Sequence, residues 1–189
     1  MGALDDIPPS MLGVVVFRAL RVMVAAVVAS AVVVPIGAGV AHAAPLDLVC
    51  AGTQHITFSP GLTLIPGLKS MTTNTIYAPC VSASAPLVTA GANASAFQAP
   101  ASCVDLPDIG SGTRTLTWNT GQTSTYNFIS TTTHVGGNTV LTRTGAVTAG
   151  LFAGDTAVEV IVGPTVNLLN CLAPPGITEK FDVVTLTFA

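Results

Sequence analysis

The chain has 189 residues, half of them hydrophobic and only 8% charged, with six bases against nine acids and a net charge of −3. A small negative charge with no basic run excludes a surface built to hold nucleic-acid phosphates, and so high an apolar fraction excludes a disordered chain. Abundant Val, Thr, Ala and Gly favour strands and turns over helices.

The N-terminal segment reads as a secretory signal. Arg18 and Arg21 precede an apolar run over residues 22–40, and Ala41-His42-Ala43 supplies the small residues of a cleavage site. Met11 or Met23 is an alternative start, and Met11 leaves Arg18 and Arg21 as the basic region. The apolar run approaches the roughly 20 residues that span a bilayer, so a retained anchor is the competing reading. Pro35, Gly37 and Gly39 in its second half suit a cleavable signal-peptide helix better. Cleavage between Ala43 and Ala44 is therefore expected, leaving residues 44–189 as one exported domain with no membrane association after cleavage.

All four cysteines, Cys50, Cys80, Cys103 and Cys171, fall in the exported part. An even count in an exported chain reads as two disulfides. Three pairings are open. Cys50–Cys80 with Cys103–Cys171 is preferred, the first closing an N-terminal strand pair and the second tying the middle of the chain to its end. The cysteines are too far apart in sequence to resemble a zinc site.

The first predicted strand covers residues 51–58, with a turn at Ser59-Pro60-Gly61. A second runs over about 69–77 and stops at Pro79 and Cys80. Residues 81–101, rich in Ala, Ser, Gly and Pro, read as loop or edge around a short strand at 87–89. They contain Asn93-Ala94-Ser95, which matches a glycosylation sequon. A further short strand is expected at 102–106, then a turn-rich loop to Gly112.

Residues 114–129 carry the clearest pattern. Apolar residues alternate on both sides of Asn119-Thr120-Gly121, which marks a hairpin. Only a three-residue loop puts Leu116, Trp118, Tyr126 and Phe128 on one face, because a one-residue slip turns every side chain over. Trp118 then stands opposite Gln122, and Arg114 opposite Tyr126. A type I turn followed by Gly121 in the left-handed region has the required length. These four residues are the predicted core. The second arm continues to His134 or Val135, and Gly136-Gly137-Asn138 turns into a strand over 139–148. Gly150 and Gly154 bound a loop around Phe152. Val158, Val160 and Val162 alternate against Glu159 and Ile161 in another strand, and strands over 166–172 and 181–188 complete the chain.

Eight or nine short antiparallel strands with regular turns indicate a sandwich or a barrel. Cys103, Trp118 and Cys171 are spaced much as in the immunoglobulin arrangement, where a Trp packs on an inter-sheet disulfide. Leu169 stands where the tyrosine corner would be. The expected fold is an all-β, antiparallel, immunoglobulin-like sandwich.

The Ala/Val signal ending AHA-AP, the SPGLT stretch after Cys50, the YAPC sequence ending at Cys80 and the TWNTGQTST hairpin resemble the small exported β-proteins of high-GC Gram-positive bacteria. The resemblance implies a secreted or cell-envelope location and no catalytic activity.

No motif assigns a catalytic residue, a cofactor or a metal. His55 and His134 lack neighbouring ligands at metal-site spacing. Asp105 and Asp108 lie in a turn-rich loop, where acids usually bond their own backbone; the competing reading makes them the acids of a secreted hydrolase, with His134, or calcium ligands. Gly110-Ser111-Gly112 lacks the spacing of a nucleophile elbow. Tyr77, Trp118 and Tyr126 could form a sugar platform, but their shared face favours the core. The functional expectation is a non-catalytic binding or envelope protein whose partner is an extracellular protein or a glycan. An inhibitor or effector presenting residues 81–101 is a further alternative.

Overall fold

A computed structural model describes residues 46–107 and 110–189. The signal segment with Ala43 and Ala44, and also Asp108, lie outside the described residues.

Among the described residues eight strands make up the fold: β1 (Leu48–Leu62), β2 (Gly67–Ser82), β3 (Gly91–Ala101), β4 (Ser111–Trp118), β5 (Thr123–Val135), β6 (Asn138–Gly150), β7 (Thr156–Pro164) and β8 (Ile177–Phe188). Each pairs antiparallel with its neighbours in sequence, and β8 pairs with β1, so the sheet closes into one up-and-down barrel. Among the described residues no helix is long and apolar enough to cross a membrane.

The expected sandwich is therefore corrected to a barrel. Period-2 alternation reports only that a strand has one buried face, and both architectures satisfy it. The decision lies in pairing: β1 runs 15 residues and β2 16, and β1 is hydrogen-bonded along most of its length to β2 on one side and β8 on the other. A sandwich would leave edges there; closure removes them. The immunoglobulin likeness fails for the same reason. Cys103–Cys171 joins two connections at one end of the barrel, while Trp118 belongs to a separate cluster at the other.

Several local expectations change as well. Residues 91–101 form β3, paired with β2 from Gly67↔Ala101 to Tyr77↔Gly91; the partner strand overrides the weak intrinsic preference of Ala and Ser. Ser59-Pro60-Gly61 does not turn the chain, and β1 continues to Leu62. Similarly, β2 passes Pro79 and Cys80 to end at Ser82. Residues 102–106 are loop. Residues 166–172 hold a 3-10 turn (Leu168–Cys171) in place of a ninth strand, started by Asn167, whose side chain accepts from the Leu169 N–H.

The hairpin of β4 and β5 has Arg114 opposite Tyr126, and the Trp118 N–H donates to the Gln122 carbonyl at 2.8 Å. Gly121 has φ +82°, a left-handed value that costs glycine no steric penalty. Leu116, Trp118 and Tyr126 are almost completely buried in the lumen, and Phe128 lies beside them.

The strand directions sort the connections into two ends. At one end, the β2–β3 and β6–β7 loops send Val88 and Phe152 inward to join Trp118, Phe188, Leu48 and Leu116 in a dense plug. Phe152, Trp118 and Phe188 meet edge to face, with centroids 5.6–6.2 Å apart, an arrangement that suits aromatic quadrupoles. The Trp118 indole N–H donates to Ser124 Oγ at 2.8 Å, so its polar atom is satisfied inside the plug. Cys50–Cys80 links register partners on β1 and β2 here, with Cα atoms 4.1 Å apart. At the opposite end, Cys103–Cys171 joins the β3–β4 connection to the β7–β8 connection, with Cα atoms 6.4 Å apart. The two disulfides are compatible with an oxidising compartment.

One seam is thin. β3 and β4 share only Gly91↔Trp118 and Ala92↔Thr117 before they diverge. The next rung is made by a side chain. Asn93 Nδ2 donates to the Thr115 carbonyl at 2.7 Å, and Asn93 Oδ1 accepts from Arg114 Nε at 2.7 Å.

Candidate functional site

Inward positions alternate along every strand, so a few polar residues in otherwise apolar strands are placed in the lumen together. Glu159, on the inward face of β7, is completely buried. It accepts from Tyr77 at 2.5 Å, Tyr126 at 2.8 Å, Arg114 at 2.9 and 3.1 Å, and Arg143 at 2.7 Å. These partners come from β2, β5, β4 and β6. A carboxylate buried alone would cost several kcal/mol, whereas one paired and hydrogen-bonded on both oxygens is sustained.

The network continues across the lumen. Arg114 Nη2 donates to Thr75 Oγ1 at 3.1 Å, Thr75 Oγ1 donates to Gln54 Oε1 at 3.2 Å, and Gln54 Nε2 reaches Asp182 Oδ2 at 3.5 Å. Asp182 is paired in turn with Lys180. The result is a polar belt that sits directly above the aromatic plug and ties seven strands, β1, β2 and β4 to β8, together.

The belt shifts its own titrations. Burial alone would raise the Glu159 carboxyl, but the charges of Arg114 and Arg143, with the hydrogen bonds of Tyr77 and Arg143, hold it below the ordinary carboxylate range. Burial, followed by the Glu159 charge, pushes both the Tyr77 and Tyr126 phenols up. Burial works against the Arg114 cation, yet the Glu159 charge keeps it protonated more firmly than usual. Both tyrosines are thus neutral donors and Glu159 a fixed acceptor.

Above the belt lies a chamber of about 1110 Å³ that takes in the lumen and the gap where β3 and β4 diverge, since Asn93, Ala94, Ser95, Ala96, Thr113 and Thr115 also line it. Its floor carries Gln54, Arg114, Arg143, Lys180 and Asp182. Its walls include Ile56, Phe58, Met71, Phe97, Leu141 and Ile161, and its mouth is bordered by the connections that Cys103–Cys171 joins. Chemically this is a mostly apolar container with cationic and hydrogen-bonding groups at its base.

The residues singled out from the sequence are dispersed. Asp105 is exposed at the chamber mouth, where its backbone exchanges hydrogen bonds with Ser102: its N–H donates to Ser102 Oγ at 3.1 Å and its carbonyl accepts from the Ser102 N–H at 2.9 Å. His134 also borders the mouth, with Nδ1 3.2 Å from Thr139 Oγ1. His55 is on the outer surface, stacked on Phe181 at 4.3 Å and 3.2 Å from Glu179. Tyr77, Trp118 and Tyr126 are inside the barrel, which removes them as a sugar platform. The Asn93 amide of the sequon is committed to the β3–β4 seam. Among the described residues no three His, Cys, Asp or Glu side chains gather as a metal site.

Sequence reasoning missed Glu159, Arg143, Gln54, Lys180 and Asp182. A signal for them existed: the hairpin register places Arg114 on the same face as Leu116 and Trp118, and a cation on a core face requires a buried acceptor. Glu159, on the same face of its strand as Ile161, is that acceptor. Compared with protein-family models, curated proteins and solved structures, the chain matches none.

Proposed function

We propose that this is an exported, disulfide-bonded binding protein that holds one small, partly apolar molecule inside its barrel and performs no catalysis. The observation that carries the reading is the chamber of about 1110 Å³, closed below by the plug and the polar belt. Small-molecule sites typically span about 300–1,000 Å³, with apolar walls and a few placed polar groups. Eight-stranded barrels are just wide enough to hold one small ligand. The disulfides and the N-terminal signal pattern support action outside the cytoplasm. A hydrolytic reading finds less support, because Asp105 is exposed and occupied as a turn former.

The test is a titration with N-phenyl-1-naphthylamine, a neutral dye that brightens in apolar surroundings. Saturable enhancement at one site per chain is expected. Linear, unsaturable enhancement at every protein concentration would sink the proposal.

A further inference from the structure

The belt is not electrically balanced. Among the described residues its cations are Arg114, Arg143 and Lys180, and its carboxylates are Glu159 and Asp182. Three positive charges face two negative ones in a setting where solvent screening is weak. Glu159 is fully used, since both its oxygens already accept from four side chains.

The two arginines differ in how completely they are engaged. Arg114 donates from all three guanidinium nitrogens, to Asn93, Glu159 and Thr75. Arg143 gives Nη1 to Glu159, but its Nε–H is buried and has no acceptor among the described residues. Its guanidinium also lies over the Phe128 ring, 5.0 Å from the centroid, at the base of the chamber. An unsatisfied buried donor on a charged group is costly, and the Nε side of a guanidinium has the fork geometry that a carboxylate matches.

A bare inorganic anion would neutralise the charge but leave the apolar walls in contact with water. The apolar walls above Arg143 require an apolar body attached to the anion. We infer that the chamber takes an amphiphile with a single carboxylate, its head on the guanidinium of Arg143 and its apolar body between Phe58, Met71, Phe97 and Leu141. This rests on the reading of the barrel as a small-molecule binder.

The experiment compares dodecanoate with 1-dodecanol, by direct calorimetry and by displacement of N-phenyl-1-naphthylamine, on wild type, Arg143→Gln and Arg143→Lys. Arg143→Lys keeps the charge beside Glu159 and remains informative if Arg143→Gln does not fold. The expected result is at least tenfold tighter binding of dodecanoate in wild type. That preference should vanish in Arg143→Gln and shrink in Arg143→Lys. Equal binding of acid and alcohol in wild type, or a preference undiminished in both variants, would overturn the headgroup assignment while leaving the chamber reading intact. Absence of binding by the dye and by both dodecyl compounds would overturn both.

Discussion

Glu159 is the residue on which the interior depends. Four side chains from four strands converge on it, so replacing it with Gln leaves Arg114 and Arg143 without their counter-charge. Breaking a buried ion pair from one side costs about 3–5 kcal/mol. Glu159→Gln should lower the stability measured by urea unfolding by that amount, and an unchanged midpoint would mean that the belt contributes nothing. The belt also sets a pH window. The folded Glu159 carboxyl lies below its unfolded value of about 4.5, so its contribution is present above that pH and lost as pH falls through the folded value. The Tyr77 and Tyr126 phenols lie above their unfolded value of 10.0, so their contribution is present below that pH and lost as pH rises toward their folded values. Wild type should therefore be most stable between these limits, and Glu159→Gln should flatten the acid limb. An acid limb equally steep in the variant would show that another group controls it.

At the scale of elements, the turn and register of the β4–β5 hairpin were legible, whereas the start of β4 at Ser111 fell in residues read as a turn-rich loop. Its loop length, register and inward face all follow from four large apolar residues and Gly121, because the face constraint admits only one alignment. β3 was hidden, since Ala and Ser carry little strand preference and its conformation comes from pairing with β2. The 3-10 turn at Leu168–Cys171 was read as a strand because Leu and Val in a short run do not distinguish the two. The thin seam was equally invisible, being a property of how two strands diverge. It has a measurable consequence. Pairing of Ala92 with Thr117 means that the even-numbered residues of β3 direct their amides toward β4, while odd-numbered ones face β2. Beyond Ala92 the even side has no ladder. Amide exchange should accordingly alternate, with Ala94 and Ala96 exchanging at least tenfold faster than Ser95 and Phe97. Uniform protection along β3 would show that the seam is closed by backbone bonds.

The described residues form a barrel with one end filled by the plug and the other holding the chamber. Alternation and turn spacing in the sequence established an all-β antiparallel chain but could not separate a barrel from a sandwich, because closure depends on β1 meeting β8 across more than a hundred residues. The polar belt was legible only in part, through Arg114 on the core face of its hairpin: Gln54, Arg143, Glu159 and Asp182 are scattered along the chain, and only closure brings them face to face with it. The cysteine pairs are placed at opposite ends, one joining two paired strands beside the plug and the other joining two connections at the chamber mouth. In the chain-entropy account, the pair separated by 68 residues restrains the unfolded chain more than the pair separated by 30.

If guests bind inside the lumen, as proposed, a Trp placed at Thr73, on the chamber wall, should block them, whereas one at Thr117, on the outer face of β4, should not. Both variants are first checked for a cooperative melting transition, then titrated with N-phenyl-1-naphthylamine. Thr73→Trp should lose dye affinity at least tenfold, while Thr117→Trp should bind as wild type does. Full-strength binding by a folded Thr73→Trp variant would place the dye on the exterior and rule out a guest in the lumen.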